Sequence, residues 1–279
     1  MNKICKFQPV SFSWVAVHPE PKGVIEFLGG ALFGSVPNIS YSHFLHSLYE
    51  AGYTVITLPF RFGLDHAAIA EDLLSERDNV LQQLGNSHQD LPRFWVGHSL
   101  GCKYIILLEA DQKIWNQPSL LIAPDISDTK DAVPIPPVAA FLDAIGRGVN
   151  PDRKETQALL KEKKNSLFNL TALISFEGDE LAGNQAGSPD ESDVALFIQE
   201  LDNKSGFPLL KQEISGKDIK HTEIVGIRAY KPDGTYSFVD LDVTDAIFED
   251  PQKRELEPMA IEFLEKLKAR LDEISIPKQ

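Results

Sequence analysis

Gly97-His98-Ser99-Leu100-Gly101 is the stretch of this chain whose residue types and spacing point most directly to chemistry. A nucleophilic serine works from a sharp turn between a strand and a helix, where its hydroxyl stands clear of the backbone. The positions two before and two after it must be small, because the turn crowds them. Gly97 and Gly101 meet that demand, Phe94-Trp95-Val96 supplies an apolar strand ahead of the turn, and Cys102 to Leu108 an apolar helix behind it. Composition alone produces such a pattern in about one chain in ten of this length. The motif therefore carries weight only through its strand-turn-helix setting, and its alternative is a glycine-rich turn with an inert serine.

A serine hydroxyl attacks poorly until a histidine takes its proton, and the imidazole must itself be oriented by a carboxylate. In the α/β-hydrolase fold, which this strand-turn-helix setting resembles, the acid and then the histidine follow the serine along the chain. Of seven histidines, six lie at or before position 98, so His221 alone qualifies. The expectation is an imidazole within about 3 Å of the Ser99 hydroxyl; the alternative is a loop histidine beside Lys217 and Lys220. Between serine and histidine, Phe176-Glu177-Gly178-Asp179-Glu180 closes a strand with a turn glycine and carboxylates. Asp179, just after Gly178, is the preferred acid. Glu177, Glu180 and Asp125 are rivals, and an ordinary turn aspartate is the other reading of Asp179. Acyl transfer also requires N–H donors for the developing oxyanion. Leu100, which follows the serine, offers one. The second is expected from Gly29-Gly30-Ala31 at the end of the apolar run Val24-Leu28, with Ala31 preferred, Gly30 the alternative, and a merely tight turn the plainer reading.

Elements able to position these groups alternate along the chain. Phe12-Val17, Val24-Leu28, Tyr53-Leu58, Phe94-Gly97, Leu120-Ala123 and Thr171-Phe176 read as strands. Tyr41-Ala51, His66-Leu84 and Leu100-Ala110 read as helices, the first two followed by the stop glycines Gly52 and Gly85. That rhythm predicts a mainly parallel sheet with helices on both faces. It breaks between Asp125 and Lys164, where Pro134, Pro136, Pro137 and Pro151 accompany a short apolar segment and a charged helix over Arg153-Lys164. Ser192-Leu201 is helical and Leu209-Ile214 a strand. Ile224-Tyr230 and Thr235-Val239 form a hairpin, and Glu255-Ile274 is a closing amphipathic helix. Asp65-His66 precedes a helix, where an aspartate most often caps the first turn; lining a substrate site is the other reading.

Over most of its length the chain resembles the α/β-hydrolase superfamily. More narrowly, Phe27-Leu28-Gly29-Gly30-Ala31-Leu32-Phe33-Gly34-Ser35, Leu64-Asp65-His66 and Gly97-His98-Ser99-Leu100-Gly101-Cys102 resemble a hydrolase-like family of unknown function from cyanobacteria and plastids. The resemblance implies one α/β-hydrolase domain over residues 1–279, a mostly parallel sheet of about eight strands, and the Ser99-Asp179-His221 assignment, but no substrate. Gly29 departs from the commoner pattern, in which a histidine precedes the glycine of the oxyanion turn. In this superfamily lid segments enter where residues 125–170 are inserted. Val133, Ile135, Val138, Phe141, Leu142 and Ile145 would then give the site an apolar ceiling, or else simply anchor the insertion to the core. The expected pocket wall is Phe33, His98, Val138, Phe141 and Leu142.

A formal charge of −14, from 27 Lys and Arg against 41 Asp and Glu, repels phosphate backbones and anionic lipid, which argues against nucleic-acid partners and electrostatic membrane docking. No apolar run suits a signal peptide or a membrane span. Cys5 and Cys102 make no metal pattern, and with no leader visible a cytoplasmic, reducing setting is the expectation. No nucleotide or zinc fingerprint appears, so no cofactor is expected. The functional readings are a serine esterase or thioesterase acting on a small-molecule acyl substrate, an acyltransferase using the same groups, and a non-catalytic binding or assembly factor.

Overall fold

Val24–Leu28, Thr54–Thr57, Ser119–Ile122 and Thr171–Phe176 are buried along their whole length, as is nearly all of Arg93–His98. Continuous burial, rather than alternation, marks strands covered on both faces. A computed structural model describes residues 5–61, 63–115, 117–126, 128, 148–162, 170–202, 208–231, 235–241 and 254–275. Its strands are β1 (Gln8–Val10), β2 (Ser13–Ala16), β3 (Val24–Leu28), β4 (Thr54–Thr57), β5 (Arg93–His98), β6 (Ser119–Ile122), β7 (Thr171–Phe176), β8 (Leu210–Ile214), β9 (Gly226–Tyr230) and β10 (Tyr236–Asp240). The helices are α1 (Pro37–Ser40), α2 (Ser42–Glu50), α3 (His66–Leu84), α4 (Asn86–Gln89), α5 (Leu100–Ala110), α6 (Arg153–Glu162), α7 (Asp193–Leu201) and α8 (Leu256–Ser275).

Eight strands form one sheet in the order β1-β2-β4-β3-β5-β6-β7-β8. From β4 to β8 every neighbouring pair is parallel, and the first two strands join antiparallel at one edge. Helices α3, α5 and α6 pack together as one layer, while α2 and α8 form another, with α8 against β6 and β7. β5 lies in the middle of this sheet, so its carboxyl end, where Ser99 follows, opens at the centre of one edge. In parallel α/β sheets that edge is where ligands bind.

The strand expected over Phe12-Val17 forms as β2, and β1, which was not anticipated, pairs antiparallel with it as a hairpin. Ser11 takes a positive φ of 56°, and the Glu76 carboxylate of α3 accepts hydrogen bonds of 2.8 Å from Ser11 Oγ, the Phe12 N–H and Ser13 Oγ. A distant side chain thus replaces the Gly or Asn that usually announces such a turn. The second hairpin, β9-β10, pairs as anticipated but stays out of the main sheet. It packs on α1 and α2, where the Arg228 N–H donates to Ser42 Oγ at 2.9 Å.

The insertion is described only at its ends. Asn150 docks by backbone hydrogen bonds onto Leu64 and His66, and α6 packs on α5. Val138, Phe141 and Leu142 lie outside the described residues. No helix among the described residues is long and apolar enough to cross a membrane.

Asp65 caps α3, its Oδ1 accepting from the Ala68 N–H at 3.1 Å. Asp65→Ala should lower stability by about 1 kcal/mol in urea unfolding. An unchanged midpoint would remove the capping role.

Candidate active site

The turn after β5 is held in a conformation that L-residues avoid: Ser99 has φ 54° and ψ −124°. Such strain persists only where the surroundings over-determine it. The Ser99 N–H donates to the Ile122 carbonyl at 3.1 Å, and the Ser99 carbonyl accepts from the Cys102 N–H at 2.9 Å. The two glycines are steric necessities. A Cβ at Gly101 would stand 2.4 Å from the Leu28 carbonyl oxygen, and one at Gly97 would stand 2.7 Å from Ile105 Cδ1. Close backbone approach on one side and helix packing on the other thus fix where Ser99 points.

His221 and Asp179 meet. Imidazole Nδ1 lies 2.8 Å from Asp179 Oδ2, and the other carboxylate oxygen accepts from the N–H groups of Leu181 and Ala182 at 2.8 and 3.0 Å. Gly178 makes the meeting possible, because a Cβ there would stand 2.3 Å from the Lys217 carbonyl oxygen of the loop that carries His221. The rival carboxylates are engaged elsewhere. Glu177 accepts from the Gly216 N–H at 2.8 Å, Glu180 pairs at the surface with Lys220 at 3.6 Å, and Asp125 shares a hydrogen bond with Asp193. The His221 ring packs 5.0 Å from that of His98, the neighbour of Ser99. Among the described residues the Ser99 hydroxyl forms no hydrogen bond to His221, and catalytic contacts of this kind are commonly loose until the substrate complex forms.

On the oxyanion side, the glycine turn lies against the serine: a Cβ at Gly30 would be 3.1 Å from Ser99 Cβ. Gly30 itself is corrected as a donor, because its N–H is given to the Tyr41 hydroxyl at 2.8 Å. Ala31 and Leu100 keep their candidacy, Leu100 as the first residue of α5, whose N–H has no helical acceptor behind it. His98 is corrected as well. It is 1% exposed, and both ring nitrogens are engaged, with Tyr41 Oη at 3.0 Å and the His221 carbonyl at 2.9 Å, so it lies beneath the site and not on a pocket wall. Phe33 stays half-buried, its ring edge-on to Tyr41. The departure at Gly29 has a steric cause, since a Cβ there would meet Tyr41 Cε2 at 2.6 Å. A cavity of about 430 Å3 between α3, α5 and α6, lined by Ala67, Leu107, Leu108, Pro151 and Leu159 among others, includes none of Ser99, Asp179 or His221. Among the described residues no three His, Cys, Asp or Glu side chains gather as metal ligands.

Residues 6–189 match the family described as "Protein of unknown function (DUF1350)". The chain belongs to that family. No curated protein matches it. Solved structures similar to this DUF1350 chain include TT1662 from Thermus thermophilus, at 14% identity over 96% of this chain and 98% of the other, with a TM-score of 0.53. A monoacylglycerol lipase from Paleococcus ferrophilus is similar at 16% identity, over 91% and 99% of the two chains, with a TM-score of 0.54. A carboxyl esterase from Bacillus coagulans is similar at 16% identity over 91% and 93%, again with a TM-score of 0.54. At such identities the likeness speaks for the fold, which is that of the α/β-hydrolases.

One further group in this DUF1350 chain escaped sequence reasoning. Beneath the turn lies a buried ionic cluster: Lys103 Nζ donates to the Pro151 carbonyl at 2.8 Å, and Arg153 grips both oxygens of Asp193. Asp193 Oδ2 also accepts from the Ile126 N–H at 2.7 Å, while the Asp125 N–H reaches the Ser99 carbonyl at 3.4 Å. A lone lysine in the apolar run Cys102 to Leu108 was the available signal. Burial brings the Lys103 ammonium down to about 8, against the pull of Asp125 and other nearby carboxylates. Burial, helped by Asp125, pushes the Asp193 carboxyl up to about 7. The folded state thus holds a proton that the unfolded chain releases above pH of about 4. The sign follows: this contribution to stability is complete at low pH and is lost as pH rises towards 7. Melting temperatures from pH 5 to 8 should therefore rise for Asp193→Asn relative to the parent, and a pH-independent difference would rule out the shared proton.

Proposed function

We propose that this chain is a serine hydrolase that cleaves a carboxylic ester or thioester through an acyl-enzyme on Ser99. The observation that carries the reading is the 2.8 Å contact between His221 Nδ1 and Asp179 Oδ2, beside a serine held in a strained turn. Because Nδ1 faces the carboxylate, Nε2 is the nitrogen left to accept the serine proton. Ser99 Oγ attacks the acyl carbon while its proton passes to His221, and the oxyanion is held by the N–H groups of Leu100 and Ala31. Collapse breaks the bond to the leaving oxygen or sulfur, which takes the proton from His221. Water then gives a proton to His221 and attacks the acyl carbon, and the proton returns to Ser99 as the carboxylic acid departs. Asp179 stabilises the imidazolium, and the Leu181 and Ala182 N–H groups fix that carboxylate.

The likeness in fold to a monoacylglycerol lipase and a carboxyl esterase fits an ester substrate. Apolar side chains beside both turns favour a medium or long acyl group: Leu32, one residue past Ala31, is 83% exposed, and Leu181, two past Asp179, is 72% exposed. Ser99→Ala should abolish labelling by a fluorophosphonate and all p-nitrophenyl esterase activity. Asp179→Asn should lower kcat by about 10^4-fold. Lack of labelling in the parent protein would end the enzyme reading and leave a binding role for the fold. Among p-nitrophenyl esters, octanoate should be preferred to acetate, and the reverse order would refute the acyl assignment.

A further inference from the structure

Tyr41 and His98 are buried polar residues with no part in the steps above, yet every hydrogen-bonding atom of the pair has one assignable role. The Gly30 N–H only donates, so Tyr41 Oη accepts from it at 2.8 Å. The His221 carbonyl only accepts, so the His98 nitrogen 2.9 Å away, Nε2, carries a hydrogen. Burial and the neighbouring His221 push the proton affinity of the His98 imidazole well down, so the ring is neutral and Nδ1 is bare. Nδ1 therefore accepts the Tyr41 hydroxyl hydrogen at 3.0 Å. The result is a closed, uncharged chain: Gly30 N–H to Tyr41, Tyr41 O–H to His98, His98 N–H to the His221 carbonyl.

The ends of this chain are the two pieces of backbone that must be registered against Ser99. One is the turn after β3 that presents Ala31; the other is the loop that carries His221. The middle, His98, precedes Ser99 itself. Packing fixes the phenol in place, since Tyr41 stacks edge-on with Phe27 at 4.9 Å and occupies the space that a side chain at position 29 would need. Diverting the Gly30 N–H to Tyr41 leaves the next N–H, that of Ala31, as the donor for the oxyanion.

We propose that Tyr41 and His98 are positioning residues, whose buried hydrogen-bonded chain sets the oxyanion turn and the general base against Ser99. This inference rests on the serine-hydrolase reading, and the two fail differently. Tyr41→Phe removes one hydroxyl and keeps the ring. It should lower kcat on p-nitrophenyl butyrate by about 10- to 100-fold, the scale of a sub-ångström to 1 Å misplacement, with KM nearly unchanged and fluorophosphonate labelling slowed to match. His98→Gln, which keeps an N–H near the His221 carbonyl, should retain more activity than His98→Leu. Folded Tyr41→Phe and His98→Leu proteins with kcat within about twofold of the parent would overturn the proposal. Nitrogen-15 NMR of the parent protein tests the chain whatever the activity or the folding of the variants: His98 should be the Nε2–H tautomer between pH 5 and 9. A charged or Nδ1–H ring would overturn the chain, whereas an unlabelled parent with the expected tautomer would overturn the hydrolase reading and the positioning role with it, leaving the hydrogen-bonded chain itself intact.

Discussion

The backbone at Ser99 occupies a conformation that costs an L-residue on the order of 1–3 kcal/mol, and the neighbouring architecture is arranged so that relaxing it would break something larger. Rotating the turn towards an ordinary conformation would pull Ser99 away from the Ile122 carbonyl and disturb the helix start at Cys102. It would also shift Gly101 against the carbonyls of Leu28 and Gly29, which already leave no room for a Cβ. The strand pairs β3-β5 and β5-β6 therefore do more than build a core. Their register sets the distance between the serine turn and the glycine turn beside it.

Around that turn the protein buries three polar assemblies of different electrical character. His98 and Tyr41 form a neutral chain, Asp179 and His221 a carboxylate-imidazole pair, and Lys103, Arg153, Asp125 and Asp193 an ionic cluster. Burying unpaired polar groups costs several kcal/mol each, so each assembly is tolerable only because its members satisfy one another. Two imidazoles 5.0 Å apart are thereby given different tasks. His221 has a carboxylate able to stabilise a positive ring. His98 has a phenol and a carbonyl but no carboxylate, and its burial keeps the ring neutral.

Most of the fold was legible because its signals are local. Asp65 and Gly85 bracket α3 where capping chemistry places them, and α5 and β7 run over the residues that apolar patterning marks out. The strand over Phe12-Val17 was legible as β2, whereas its hairpin partner β1 was not, because the turn between them depends on Glu76, more than sixty residues away. The same divide runs through the site. Chain order and turn residues single out Asp179 and His221, which the structure brings into contact. His98 was expected on the pocket wall, and nothing in the sequence tells that its ring would be claimed by Tyr41 and the His221 carbonyl. Gly30 was a reasonable oxyanion donor until the hydroxyl of Tyr41, eleven residues on, took its hydrogen.

The fit of Tyr41 against Gly29 also bears on how this site can change by mutation. With 2.6 Å between the phenol ring and the place where a Cβ would stand at position 29, the histidine that commoner hydrolases carry there cannot be introduced while Tyr41 remains. Shrinking Tyr41 first would strand the buried hydrogen-bonding atoms of Gly30 and His98. Each single step is penalised, and the double replacement leaves only the 3.0 Å approach of the Gly34 backbone to be relieved. The two positions are thus epistatic, and sequence change in this lineage should keep or replace them together, a ratchet built from steric contact and two hydrogen bonds.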